Sequence, residues 1–290
     1  MLLALLRSLR PAQWAKNAFV LAPLVFAHRL EEPRLLAAAA LAFVAFCAAS
    51  SAVYLVNDLA DREQDRQHPV KRLRPIAAGA LPAPAAWVAA LVLAAAAALA
   101  ATRLDPLFGV CLAAYVALNL LYTFWLKHIV ILDVMSISAG FVLRVMAGAA
   151  AIGVVVSSWL LLCTTFVALF LAFSKRRHEL MLLADAAAGQ RRVLDQYSPT
   201  FLDQMINVTT ASTVICYALY AVAPETAARL GTRYLIATLP LVLYGIFRYL
   251  YLLYQRPGPR NPTEAILRDA PFLANLALWA GLVVALVYGG

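Results

Sequence analysis

Apolar and polar positions alternate along this 290-residue chain in long blocks. Nearly uncharged apolar runs recur from Leu35, Pro84, Pro106, Ile129, Val154, Val208, Tyr234 and Phe272, most of them near the ~20 residues a spanning helix needs. A shorter run at 18–27, between Pro11 and Arg29 and interrupted by Pro23, precedes them. Counting it, the pattern predicts nine transmembrane helices in one all-α integral membrane domain, residues 1–290. The short first span is expected to be retained and broken. A signal peptide is the competing reading, but LAPLVFAHRL has small residues without a cleavage site. Leu2, Leu3, Leu5, Leu6 and Leu9, interrupted by Arg7 and Arg10, predict a short amphipathic helix in the membrane interface.

Composition agrees: the chain is 64% hydrophobic and 13% charged with mean hydropathy +0.79, against about 45–50% apolar residues in soluble proteins. Basic residues decide the orientation. When successive loops are sorted alternately, eighteen of the 24 lysines and arginines fall on the N-terminal side, including Arg191, Arg192, Arg256 and Arg260. The other side holds only Arg29, Arg34, Arg103, Arg229 and Arg233. The positive-inside rule puts the N-terminus and the basic loops in the cytoplasm and the C-terminus outside, in a cell inner (plasma) membrane. The net charge of +9 sits within a few residues of span ends, which argues against nucleic acid and for membrane lipids or phosphorylated substrates. Cys47, Cys111, Cys163 and Cys216 lie in separate apolar runs and read as packing residues. Oligomeric state is left open, a homo-oligomer included.

Two cytoplasmic loops, about 57–84 and 174–207, are longer than the rest. The first opens with NDLADREQDRQHPVKRLRPIAAG at 57–79, four acids and five bases behind the uncharged run 35–56. Charge this dense at the end of a span marks a candidate site. Asn57, Asp61 and Asp65 recur every four residues and drift only about 40° per step around a helix; Asp58 lies beside them. Carboxylates so close repel unless a cation joins them, and hard oxygen ligands suit Mg²⁺ completed by substrate phosphates. Lys71, Arg72 and Arg74 follow, between Pro69 and Pro75, with donors suited to phosphate oxygens. Together they describe a Mg²⁺-diphosphate site. The competing reading is a solvated juxtamembrane charge cluster.

NDxxDxxxD followed by KRxRPxxxG closely resembles the first motif of the UbiA-type intramembrane prenyltransferase superfamily. The resemblance covers nearly the full chain and implies nine helices around a central cavity opening near the cytoplasmic face. Tyr122 and Lys127, in YTFWLKH, are similar to the same pattern. Aromatic prenyltransferases of this superfamily carry a second aspartate motif after the sixth span. Here that position reads FSKRRHELMLLAD, with Lys175, Arg176, Arg177, His178 and Glu179.

That basic replacement, with RPAQWAKN at 10–17, looks like the decaprenyl-phosphate phosphoribosyltransferase branch. The resemblance implies transfer of phosphoribose from phosphoribosyl pyrophosphate to a polyprenyl phosphate, releasing pyrophosphate. Two polyanionic substrates need more fixed positive charge than a prenyl diphosphate and an aromatic acid. On this reading Asn57, Asp58, Asp61 and Asp65 hold Mg²⁺, the three aspartates being catalytic. Lys71, Arg72, Arg74 and Lys127 neutralise the leaving pyrophosphate. Lys175, Arg176 and Arg177 take the ribose 5-phosphate or the lipid phosphate, and Glu179 holds a ribose hydroxyl or orients a base. Arg10, Gln13, Lys16 and Asn17 are assigned to the lipid headgroup.

Asp133 and Arg144, eleven residues apart on the fifth span, would stand ~16 Å apart, too far to pair. Asp133 is expected near Lys127, and Arg144 as a tie between helices. His28, His68, His128 and His178 are too scattered for a metal motif, and the tryptophans near span ends read as interfacial anchors. Two alternatives remain: a prenyltransferase joining a polyprenyl diphosphate to an aromatic or quinone-precursor acceptor, and a non-enzymatic lipid transporter or scaffold.

Overall fold

The computed structural model describes residues 1–27, 29–67, 70–184, 194–255, 266 and 268–289. His28, His68, Pro69, Arg191, Arg192, Arg256 and Arg260, named above, lie outside them. Every regular element among the described residues is helical. Eight helices are long and apolar enough to cross a membrane: α3 (Pro33–Ala60), α5 (Ala83–Ala101), α6 (Pro106–Phe124), α7 (Leu132–Ala151), α8 (Ser158–Ala184), α9 (Pro199–Val222), the α11 segment, and α12 (Ala270–Tyr288). The α11 span combines a 3-10 turn, Tyr234–Thr238, with α11 proper, Leu239–Gln255. The short helices are α1 (Leu2–Ser8), α2 (Ala22–Phe26), α4 (Arg62–Gln67) and α10 (Pro224–Leu230).

The ninth predicted segment is present and broken, as a 3-10 helix over Pro11–Val20 followed by α2. Helix starts follow local chemistry. Proline, which has no amide hydrogen to lose, occupies the first turn of α3, α5, α6, α9 and α12. Side chains of Asp105, Ser198 and Asp269 accept from the amides of Leu107, Phe201 and Phe272.

The expected loop at 174–207 is shorter than predicted. Helix α8 continues through Lys175–Glu179, and α9 starts at Pro199 instead of Val208. Hydropathy tracks where lipid ends, whereas helical hydrogen bonding continues into the polar layer. The loop at 57–84 is likewise partly helical, holding the end of α3, α4 and a 3-10 turn at Lys71–Leu73.

The chain divides into two compact units, Met1–Val156 and Ser157–Gly290. In the first, α3 runs beside α5, α6 and α7. Phe46, Phe108 and Tyr115 meet there, with ring centroids 5.9 and 5.2 Å from Phe46, among buried Ala42, Ala45, Ala49, Ala97 and Ala147. Small residues matter because lipid provides no hydrophobic drive between helices; close backbone approach replaces it. A second cluster, Leu55, Ile76, Leu81, Ala86 and Ala90, packs the 74–81 loop beneath the end of α3. Leu5 and Leu9 rest on that cluster while Leu2, Leu3 and Leu6 of α1 stay exposed, the two-sided pattern of an interfacial helix. In the second unit, α8 pairs with α9, and α12 packs on α11. Its apolar packing is stitched by Tyr217 and Thr238 (2.5 Å), the Trp279 indole donating to the Tyr217 hydroxyl (3.2 Å), and Asn275 donating to the Leu241 carbonyl.

The broken first segment is inserted against α7. A Cβ on Gly148 would stand 1.9 Å from the Val20 carbonyl oxygen, so only glycine allows this approach. Gly148→Ala is expected to displace the segment and cost about 2 kcal/mol or more, as overpacking does. A lowered thermal unfolding midpoint of the purified protein in detergent is the measurement; an unchanged midpoint would contradict the close approach.

Candidate active site

The last turn of α3 delivers Asn57 and Asp58, and the helical path continues through Asp61, whose amide bonds the Asn57 carbonyl, to Asp65, whose amide bonds the Asp61 carbonyl (2.9 and 2.8 Å). The four-residue spacing is therefore realised as successive turns. Asp58 and Asp65 are buried, at 2% and 3% exposure. Buried carboxylates are costly unless matched by cations and hydrogen bonds, and each one here is matched.

Arg10 Nη2 donates to Asp58 Oδ1 at 2.5 Å, and its guanidinium lies over the Tyr54 ring. Arg74 Nη1 donates to that same Asp58 oxygen (3.1 Å) and to Asp65 Oδ2 (2.7 Å). Lys127 Nζ donates to Asp61 Oδ1 at 2.6 Å. Asn57 Nδ2 donates to Asp61 Oδ2, and Asn57 Oδ1 accepts from Thr123 Oγ1, both at 3.3 Å. Three acids meet three bases, so the set is neutral as it stands.

Each base comes from a separate element. Arg10 lies between α1 and the 3-10 helix, with a left-handed backbone (φ 54°, ψ 60°). Arg74 follows the Lys71–Leu73 turn. The Arg66 Nε–H bonds the Ala77 carbonyl (3.1 Å) and holds this loop, while Gly79 turns it at φ 77°. Lys127, itself buried, sits on a 3-10 turn, Leu126–His128, after α6. The chain then enters α7 through a γ-turn at Ile131 (φ 70°, ψ −46°), with the Leu132 amide on the Val130 carbonyl at 2.8 Å, a strained conformation for a β-branched residue. Arg10 and Ile131 are the two non-glycine residues with positive φ among those described. Arg10 is one cation of this set, and Ile131 stands four residues past another, Lys127.

The remaining expected site residues of this unit vary in exposure. Lys71, Tyr122, Gln13 and Lys16 are partly exposed, and Arg72 is exposed. Asn17 is wholly buried, with its amide nitrogen donating to Ser50 Oγ (3.2 Å) and Cys47 Sγ (3.3 Å) and its oxygen accepting from Arg144 Nε (2.8 Å). Arg144 also donates to the Tyr115 hydroxyl and the Gly140 carbonyl (2.8 and 2.9 Å); it ties α6, α7 and the first segment. Trp14 donates to Ser51 Oγ. Asp133 is fully buried in the first turn of α7.

In the second unit Lys175, Arg176, Arg177 and Glu179 lie on α8. Arg176 is 1% exposed. It pairs with Glu179 Oε2 at 2.5 Å, and Lys175 Nζ stands 3.8 Å from Glu179 Oε1. Arg177 Nε pairs with Asp203 Oδ1 at 2.5 Å while its guanidinium stacks 4.2 Å from the Tyr254 ring, and the Tyr254 hydroxyl donates to the same Asp203 oxygen at 2.8 Å. Asp203, Tyr254 and Thr123 were missed in the sequence. Thr123, four residues before Lys127, was the one findable signal, a hydroxyl on the last turn of a span.

Among the described residues no three His, Cys, Asp or Glu side chains gather round one point. Asp58 and Asp65 do present two oxygens to a single position, now held by Arg74 Nη1. Two carboxylate oxygens with water and substrate phosphates are what Mg²⁺ ordinarily takes, so the residues fit it.

Fold and site together define a multi-pass, all-α membrane protein with an acid-base array at a span end. The chain belongs to the UbiA prenyltransferase family, whose model matches residues 18–276. Among its relatives, the decaprenyl-phosphate phosphoribosyltransferase of Corynebacterium glutamicum is 37% identical over 98% of this chain and 86% of that protein. The protein of the same name from Mycolicibacterium smegmatis is 35% identical over 98% and 92%. A UbiA homolog from Archaeoglobus fulgidus, solved bound to GPP and Mg²⁺, has the same fold, with TM-score 0.73 and 19% identity over 99% of this chain and 98% of that one.

Arg74→Ala removes the nitrogen shared by Asp58 and Asp65. It is expected to lower the unfolding midpoint, costing about 1–3 kcal/mol after allowance for partial exposure, while exposed Arg72→Ala stays within about 0.5 kcal/mol. Mg²⁺ should raise the midpoint of Arg74→Ala more than that of the parent protein. Equal shifts would show that this position takes no divalent cation.

Proposed function

We propose that this chain transfers the 5-phosphoribosyl group from phosphoribosyl pyrophosphate to a polyprenyl (decaprenyl) phosphate, releasing pyrophosphate. The observation that carries the reading is the neutral array at the end of α3, in which three acids and three bases are held within hydrogen-bond range. A metal-bound diphosphate brings both charges such an array can take. Relatives named for this transferase support the choice of substrates.

The reaction is displacement at the anomeric carbon. A lipid phosphate oxygen forms the new bond to carbon, and the bond from that carbon to the pyrophosphate oxygen breaks, its electron pair leaving with pyrophosphate. The attacking phosphate is ionised near neutral pH, so no general base is required. Asp58 and Asp65, with Asn57 and Asp61 beside them, would hold Mg²⁺, which when bound would supply Lewis-acid neutralisation of the leaving group. Arg10, Arg74 and Lys127 turn from the acids to phosphate oxygens as the donor enters, and Lys71 and Arg72 add charge from the loop. Gln13, Lys16 and Tyr122 are assigned to the substrates' phosphate ends. Lys175, Arg176 and Arg177 on α8, held against Glu179 and Asp203, are assigned to a substrate phosphate. The N-terminus and the array face the cytoplasm of an inner-membrane protein, which the distribution of basic residues supports.

Membranes containing the chain should move radiolabel from phosphoribosyl pyrophosphate into a solvent-extractable polyprenyl product. Asp61→Asn should cut that transfer about a hundredfold, the scale of losing a charge-stabilising group, and chelating the metal should abolish it. No transfer, alongside prenylation of 4-hydroxybenzoate, would replace this reading with the aromatic prenyltransferase one.

A further inference from the structure

Arg144 is a cation buried to 5% exposure with no carboxylate within ion-pair distance among the described residues. Its hydrogen bonds go to neutral acceptors: Asn17 Oδ1, the Tyr115 hydroxyl and the Gly140 carbonyl. The Tyr115 and Phe141 ring faces, 4.5 and 5.2 Å from its guanidinium, offset only part of the cost of keeping such a charge buried. What it holds is the first segment. Asn17, gripped by Arg144, in turn grips Ser50 and Cys47 of α3. Three residues on, Val20 meets Gly148 in the close approach that a Cβ would forbid, and Phe19 stacks edge-on against Phe141 at 4.9 Å. Toward the other end, Trp14 bonds Ser51, whose own hydroxyl donates to the Leu9 carbonyl at 3.1 Å.

The segment is thus fixed along its length, and the strain appears at one residue. Arg10, immediately after Leu9, is forced into the left-handed region with its guanidinium on Asp58. Non-glycine residues in that region persist where the surroundings over-determine them, and they cluster at ligand sites. The Asp58 oxygen that Arg10 reaches is the one Arg74 also reaches.

We propose that Arg144, acting through Asn17, is a positioning residue that holds the 3-10 segment so that Arg10 meets the pyrophosphate end of the donor at Asp58. This deepens the transfer reading above and rests on it for the donor. It fixes how Arg10 reaches the leaving group and makes Asn17, expected from the sequence at the lipid headgroup, part of the support.

The test uses the full chain purified into nanodiscs, with binding of Mg²⁺-inorganic pyrophosphate measured by calorimetry and KM measured for both substrates. Arg144→Gln and Asn17→Ala should each weaken pyrophosphate binding and raise KM for phosphoribosyl pyrophosphate about tenfold, the scale of one charge-assisted hydrogen bond. KM for polyprenyl phosphate should stay within about twofold, inside one such bond's effect. Arg10→Ala combined with Arg144→Gln should be no weaker than Arg10→Ala alone, because Arg144 acts only through Arg10. If Arg144→Gln does not fold, Asn17→Ala, which leaves Tyr115 and Gly140 on Arg144, gives the same comparison. Additive losses, equal rises in both KM values, or a parent protein that does not bind pyrophosphate would each overturn the proposal. Because pyrophosphate binding needs no acceptor, absent phosphoribosyl transfer by the parent protein would sink the transfer reading without deciding this one.

Discussion

Charge matching at the end of α3 is the constraint around which the first unit is built. A helix that leaves the apolar layer with Asp58 and Asp65 buried must find cations for both, since an unpaired buried carboxylate costs several kcal/mol. Arg10 and Arg74 answer them, and Lys127 answers Asp61 beside them, from three elements. Much of the local fold follows: α1 leads to Arg10, the loop pinned by Arg66 and Gly79 ends at Arg74, and the turn after α6 places Lys127. Such pairs contribute little net stability. Their value is that the array stays neutral while each charge is held ready for an ionic ligand.

Backbone strain falls where this constraint is tightest. Left-handed Arg10 and the γ-turn at Ile131 each cost of order 1–3 kcal/mol, and the two flank segments that bring a cation to the acids. The compensation lies in packing of small residues elsewhere. Gly148 admits Val20, and alanines admit α5 and α7 against α3. Loose helix packing would let the first segment relax Arg10 away from Asp58.

Periodicity and hydropathy made the fold class, most spans and the face carrying Asn57, Asp61 and Asp65 readable in the sequence, because these are local properties. The broken first segment was also readable, from Pro11, Pro23 and its length. Pairings were not. Arg10 meets Asp58 across 48 residues and Lys127 meets Asp61 across 66, and no local pattern encodes which base closes on which acid. Reading acids for metal and bases for phosphate missed that they first neutralise one another. Asp203 escaped because the polar first turns of α9 precede its apolar run and look like loop. Arginine carries no preference for positive φ, so the strain at Arg10 leaves no mark in sequence.

The second unit solves the same problem with less strain. Arg177 is closed by Asp203 and Tyr254, and Arg176 by Glu179 on its own helix; Arg248 forks onto Asp269, which also caps α12. These contacts are either local or between neighbouring helices, and no non-glycine residue described in this unit has positive φ. The basic run at 175–177 therefore counts for less as free charge than its composition suggests. Arg10, by contrast, is held out of its preferred conformation and left 26% exposed at the side chain. Arg74 reaches the same oxygen and is just as exposed, but from an extended, unstrained backbone, so neutralising Asp58 does not by itself require the strain at Arg10. That strain points to a second partner for Arg10, one that arrives with its own negative charge.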